Sequence, residues 1–126
     1  MKPGQAENLL DVEQLVALAD LDDPGEAVGY LAWLHDQFAG DARQSLERMR
    51  ELSRRGDALM LAREAHRLKG SSGSLGAARF SLDCLEIECR ARSAGVVGVN
   101  ELIDAAQRRL GATVGALRDL AGMSAG

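Results

Sequence analysis

Apolar side chains recur along this chain at steps of three and four residues, the period that lays them along one face of an α-helix. No useful stretch alternates with the period of two that marks a half-buried strand. A first short helix is expected over about 9–20, where Val12, Leu15, Val16 and Ala19 share a face before the acidic turn Leu21-Asp22-Asp23. Asp23-Pro24-Gly25-Glu26 then offers an N-cap, a proline at the first helical position and a glutamate three residues after the cap. The helix it opens carries Ala27, Leu31, Leu34, Phe38, Ala42, Leu46 and Met49 on one stripe. It runs to about Ser53, roughly 45 Å at 1.5 Å per residue, with Gly40 a point at which it could bend.

Arg54-Arg55-Gly56 closes that helix, its glycine suited to a left-handed conformation, and Asp57 caps the next. Ala58, Leu61, Ala65, Leu68, Ser72 and Leu75 form the buried stripe of this helix. Another, over about 77–94, turns Phe80, Cys84, Ile87 and Ala91 inward. Residues 95–98 read as a loop, after which Asn100 caps a last helix bearing Ile103, Ala106, Leu110, Val114 and Leu117. The pattern predicts an all-α fold. Its form is an antiparallel four-helix bundle over about 24–121 with the short N-terminal helix laid across one end, in a single domain of 126 residues.

Composition agrees and adds exclusions. The 46% hydrophobic fraction includes only two Phe, one Tyr and one Trp, so the core is aliphatic and suits helices. No apolar run approaches the length of a membrane span, and the N-terminus MKPGQAENLL has no apolar export signal, so a soluble, cytoplasmic protein is expected. Polar outer faces make a monomer the default. A net charge of -4 argues against nucleic acid as a partner. The charge is uneven: residues 1–41 hold Lys2 against nine acids, whereas residues 42–126 carry a net +4 and could face an acidic partner. Cys84 and Cys89, about 140° apart on a helix, cannot pair with each other; both read as packing residues, the second partly exposed.

The segment Ala65-His66-Arg67-Leu68-Lys69-Gly70-Ser71-Ser72-Gly73-Ser74-Leu75-Gly76-Ala77 calls for a chemical reading. Ala62, His66, Lys69, Gly70 and Gly73 form a second row about 115° around the helix from the Ala65–Leu68 stripe, so the imidazole is expected to be exposed. The row beside it is built of small residues and one lysine, although each interior glycine costs a helix about 1 kcal/mol relative to alanine. The missing side chains leave room for another surface to reach the ring. A phosphate-cradling loop is excluded because the lysine precedes the glycines and no strand precedes the lysine. A flexible linker disagrees with the helical register kept by Leu68, Ser72 and Leu75. Neither His66 nor His35 has a ligating partner at i+3 or i+4, so no metal site is expected. His35 reads as a surface or interhelix histidine, and Tyr30 and Trp33 as packing against the first helix.

Ala65-His66-x-Leu68-Lys69-Gly70-Ser71-Ser72-Gly73-x-Leu75-Gly76 resembles the signature of the histidine-containing phosphotransfer (HPt) domain family of bacterial, fungal and plant phosphorelays. The similarity runs roughly from Phe38 to Ala94 and includes the Arg-Arg-Gly-Asp turn and Ile87-Glu88, at the family's Leu-Glu/Gln position. Arg67 and Ser72 depart from it, since smaller residues are usual there. The resemblance implies a four-helix bundle that accepts a phosphoryl group from the aspartyl phosphate of one receiver domain and donates it to another. On that basis His66 is the phosphoacceptor, and neutral imidazole is a competent nucleophile near pH 7 without an added base. Lys69, one turn on, stabilises charge on the phosphoryl oxygens. Glu88 orients the His66 ring or is a mere solvated charge. Ala62, Arg67, Gly70 and Gly73 form the docking face. Partners implied are response-regulator receivers and a hybrid sensor histidine kinase, with Mg2+ supplied by the receiver's acidic pocket and no cofactor of the chain's own.

Two other functional classes compete with such a phosphocarrier. A histidine-kinase dimerisation fragment would resemble His-Glu-x-x-x-Pro, whereas His66 is followed by Arg-Leu-Lys-Gly and the chain has no room for an ATP-binding domain. The chain is therefore not expected to be an enzyme with its own ATP site. A receiver-docking module without phosphotransfer is the alternative, against which stands the retention of both His66 and Lys69.

Overall fold

A computed structural model describes residues 24–120, apart from the side chains of residues 24–28, 30, 31, 35 and 120. The helix expected over 9–20, the cap at Asp23 and the side chains of Glu26, Ala27, Tyr30, Leu31 and His35 lie outside the described residues. Four helices follow one another: α1 (Pro24–Arg54), α2 (Ala58–Ser74), α3 (Ala78–Ala94) and α4 (Val99–Leu120). Each packs mainly on two others, in the closed ring α1–α2–α3–α4 with α4 returning to α1. This is the all-α antiparallel bundle the pattern predicts.

Short, chemically determined turns set the antiparallel order. After α1 the chain closes a double hydrogen-bonded reversal, with Asp57 N–H donating to the Leu52 carbonyl at 2.9 Å and Gly56 N–H to the Ser53 carbonyl at 3.0 Å. That motif needs a left-handed residue, and Gly56 supplies it with φ +70°. Asp57 then accepts from Met60 N–H at 3.1 Å, so the end of one helix and the cap of the next share a single tight corner. The same reversal recurs after α2, where Ala77 N–H reaches the Ser72 carbonyl and Gly76 sits at φ +82°. Two details differ from the sequence pattern. Helix α1 runs through Gly40 without interruption, and α4 starts at Val99, so Asn100 lies inside the helix rather than capping it.

The predicted stripes meet along the bundle axis. Leu34, Phe38, Ala42, Leu46 and Met49 of α1 face Leu61, Ala65 and Leu68 of α2, Phe80, Cys84, Ile87 and Ala91 of α3, and Ile103, Ala106, Leu110 and Leu117 of α4. Phe38 and Phe80 reach across the centre and meet edge to face, ring centroids 5.6 Å apart at 88°. Cys84 is wholly buried, which pushes its thiol up to about 12, while Cys89 is exposed, and neither forms a disulfide. Trp33 keeps 55% of its surface exposed, and the helix expected to cover it is outside the described residues.

Polar contacts fix the rotation of α2 against α1. Glu64 receives Ser45 Oγ at 2.5 Å, Arg48 Nη2 at 3.1 Å and Arg67 Nη2 at 2.9 Å, and Arg67 also grips Asp41 at 3.1–3.2 Å. Burial raises the Glu64 carboxyl, but these donors together bring it down to about 2. A carboxylate whose folded pKa is depressed adds stability that is complete above its unfolded value and is lost as pH falls toward the folded one. Glu64→Gln is therefore expected to be less stable than the parent at neutral pH by about 1 kcal/mol, because Arg48 and Arg67 are half exposed, and to melt at a lower temperature. The gap should close between pH about 4.5 and about 2. A gap independent of pH, followed by circular dichroism, would remove the carboxylate from the α1–α2 contact.

Candidate functional site

His66 lies at the midpoint of α2, with 62% of its side chain exposed, on the face turned away from the core. Its Nδ1 stands 3.1 Å from Oε2 and 3.2 Å from Oε1 of Glu88, which projects from α3. Glu88 is itself only 7% exposed. Two cations attend it besides the imidazole. Arg92 Nε donates to Oε2 at 3.1 Å from one turn further along α3, and Lys69 Nζ approaches Oε1 at 3.6 Å from one turn beyond His66. Alongside, Ser81 Oγ of α3 donates to the Lys69 carbonyl at 3.0 Å, tying the two backbones together beside the ring.

This arrangement determines the state of the imidazole. Burial raises the Glu88 carboxyl, but the hydrogen bonds from His66 and Arg92, with the charge of Lys69, hold it below its ordinary value. Glu88 is therefore ionised at neutral pH and can only accept, so Nδ1 must carry the ring proton. In the neutral ring that leaves Nε2 with its lone pair, on the far side from Glu88, and Nε2 makes no hydrogen bond among the described residues. A nitrogen nucleophile with a fixed tautomer thus faces solvent, and a lysine stands one helical turn away.

The glycines around it are not required by packing. A Cβ at Gly70 would meet nothing within 4 Å, and one at Gly73 would touch only Ser81 Oγ, at 3.4 Å. Both residues are exposed, so a flat strip of backbone lies beside the imidazole. Arg67 is also exposed, but it is already engaged by Asp41 and Glu64. Ala62 departs from the expected docking face: it is fully buried. On the helical wheel it sits at the edge between the two rows, and α3 packs over that edge closely enough to bury it and to cover most of Lys69, which keeps 31% exposure. Ser72, the other departure from the family pattern, is buried with no partner for its hydroxyl.

Arg92 was not among the residues singled out by the sequence pattern. Its signal is present nonetheless, as a Glu-to-Arg spacing of four on one helix, which brings the two charges together. The contacts of Ser45 and Asp41 had no such signal, since they join helices 19 and 26 residues apart in sequence. The surroundings of His66 do not suit a metal ion: one carboxylate is in reach, and it is already shared by a lysine and an arginine. Among the described residues no three His, Cys, Asp or Glu side chains gather to hold a metal, and no helix is long and apolar enough to cross a membrane.

Comparison with known proteins points the same way. Histidine-containing phosphotransfer protein B (HptB) from Pseudomonas aeruginosa PAO1 superposes with a TM-score of 0.78 at 25% identity, over 91% of this chain and 96% of that one. A rice protein assigned as a histidine-containing phosphotransfer protein superposes with a TM-score of 0.75 at 21% identity, over 90% of this chain and 81% of that one, and shares the fold. No curated protein matches the sequence. The sequence model of the Hpt domain matches residues 34–120, reaching through α4 and so beyond the segment in which the signature is legible by eye. With the imidazole exposed on a bundle helix and that match covering more than half its length, the chain belongs to the Hpt domain family, a family of histidine phosphotransfer domains.

Proposed function

We propose that this protein is a phosphorelay intermediary in which His66 Nε2 takes a phosphoryl group from the aspartyl phosphate of one receiver domain and passes it to the aspartate of another. A hybrid sensor histidine kinase is the natural upstream source. The observation that carries the reading is the double contact of His66 Nδ1 with Glu88, at 3.1 and 3.2 Å, on a ring that is otherwise exposed. It holds the proton on the inner nitrogen and turns the lone pair outward.

In the forward step the Nε2 lone pair forms the N–P bond while the acyl phosphate P–O bond breaks, its electron pair leaving on the receiver's aspartate. No proton has to move, because Nε2 carries none. The product ring is an imidazolium, and its positive charge lies against the buried carboxylate of Glu88. In the return step the N–P pair flows back to Nε2, and keeping Nδ1 protonated keeps the imidazole a good leaving group. Lys69, held at 3.6 Å from Glu88, can turn to the equatorial phosphoryl oxygens. The divalent cation belongs to the receiver's acidic pocket in this scheme. Gly70 and Gly73 provide the clearance for the receiver's active-site loops.

Three variants test these assignments. His66→Gln should fold as the parent does and accept no label from a phosphorylated receiver, and the label on the parent should be labile in acid and comparatively stable in base. Inactivity of a His35 variant instead, or an acid-stable label, would move the site to another residue. Lys69→Ala should dock normally yet transfer roughly tenfold more slowly, since an exposed lysine–phosphoryl pair nets about 1 kcal/mol. An unchanged rate takes Lys69 out of the reaction.

Gly70→Gln separates docking from chemistry. Space is open at that position, so the substitution should stabilise the helix by roughly half a kcal/mol on propensity alone. Transfer between proteins should be crippled by the long side chain, while slow phosphorylation by a small donor such as phosphoramidate persists. Loss of both activities together with a lower melting temperature would mean that Gly70 serves the fold and not the partner.

A further inference from the structure

Glu88 is balanced by two cations, yet the reaction makes a claim on only one of them. Lys69 must serve the phosphoryl group, and if it were the sole counter-charge of the buried carboxylate, the same ammonium would be divided between two anions. The distances separate the two cations. Arg92 Nε makes a charge-assisted hydrogen bond to Glu88 Oε2 at 3.1 Å, whereas Lys69 Nζ stays at 3.6 Å, outside hydrogen-bond range. Arg92 comes from the last turn of α3, is 52% exposed, and contacts Glu88 rather than the imidazole.

Resting on the reading of His66 as phosphoacceptor, we infer that Arg92 is a positioning residue for phosphotransfer: by neutralising Glu88 it leaves Lys69 to the phosphoryl group and keeps the carboxylate from drawing a second proton onto His66. An unneutralised Glu88 would do two things against the reaction. It would pull Lys69 inward, and it would favour the doubly protonated imidazolium, in which the Nε2 lone pair is occupied by a proton and cannot attack phosphorus. The charged group in contact with the ring is Glu88 from α3, which Arg92 of the same helix and Lys69 of α2 also contact; the exposed Arg63 lies one turn before His66 on its own helix. Helix α1 brings Asp41 and Arg48 to the other side of α2, where Arg67 and Glu64 hold them. Arg92 is thus the cation hydrogen-bonded to Glu88, while Lys69 stands beyond hydrogen-bond range of it.

The test compares the full chain with Arg92→Gln, Arg92→Lys, Glu88→Gln and the Glu88→Gln/Arg92→Gln double variant. Each is phosphorylated by a phosphorylated receiver and by phosphoramidate, at pH values on both sides of the ordinary histidine range near about 6.5. Arg92→Gln is expected to slow both reactions roughly three- to tenfold near neutrality, the scale of a partly exposed charge contact, and to displace the rising limb of the pH–rate profile to higher pH. Arg92→Lys should recover most of the rate. In the Glu88→Gln background, where no carboxylate needs neutralising, loss of Arg92 should have no further effect. A parental rate and profile for Arg92→Gln, or an Arg92→Lys variant no better than it, overturns the inference. So does an equal loss in the Glu88→Gln background, which makes Arg92 act independently of the carboxylate, or slowing with the receiver alone, which makes it a docking contact. Labelling of His66→Gln would instead overturn the phosphoacceptor reading, and a silent Arg92→Gln beside an inert His66→Gln overturns this inference only.

Discussion

A carboxylate almost withdrawn from water between two helices is stable only if positive charge and hydrogen-bond donors come with it, because the effective desolvation penalty of a buried ion runs to several kcal/mol. Glu88 is in that position, and its requirement organises the α2–α3 side of the bundle. Arg92 meets it from the same helix and one turn away, so that contact costs little ordering. His66 and Lys69 meet it from α2, three residues apart and therefore on one edge of that helix. One buried group thereby sets the approach of two helices, the tautomer of the imidazole and the resting place of the lysine.

Helix α2 is held at both flanks of its exposed row. On the α3 side are Glu88 and the Ser81 hydroxyl; on the α1 side Glu64 collects Ser45, Arg48 and Arg67. Rotation of α2 about its axis would break both sets, so the face bearing His66, Gly70 and Gly73 keeps its direction although Gly70 and Gly73 themselves contribute no side-chain contact. This explains how a site can be precise while its central residue is 62% exposed. It also explains why the glycines can be where they are: neither is demanded by a neighbouring atom, and the helix carrying them is stabilised from its sides.

Much of this was legible in the sequence because it depends on local spacing. The stripes of α1 to α4, the Gly56-Asp57 corner and the exposure of His66 all follow from a period of 3.6 residues and from capping chemistry. Ala62 is buried for a reason the wheel cannot contain: at the boundary between two rows, burial is decided by how the neighbouring helices pack rather than by spacing along one helix. Helix α4 starts two residues earlier than a cap at Asn100 would place it, the capping preference yielding to the turn that precedes it, in which Val99 N–H bonds the Val96 carbonyl. The Glu64 cluster joins residues distant in sequence with no motif to link them. Glu88 lay between, readable as a position of interest but not as a buried one, since a glutamate on a helix is exposed unless its partners are known.

The exposure of the site suits a carrier better than an enzyme. A group that must be handed on cannot be held tightly, for each further 1.4 kcal/mol or so of stabilisation unique to the phosphorylated state slows release about tenfold. As proposed, an imidazole open to solvent and one loosely tethered lysine would give the phosphoryl group modest help, of the size found for exposed ion pairs. The stronger interactions are confined to Glu88 and Arg92, which bear on the ring's proton rather than on the phosphate. Bonding of that kind assists attack and departure alike, because both pass through the same protonated ring. Under the proposed scheme reversibility follows from where the tight contacts are placed: on the inner nitrogen, which would keep its proton throughout, and not on the outer one, which would gain and lose the phosphoryl group.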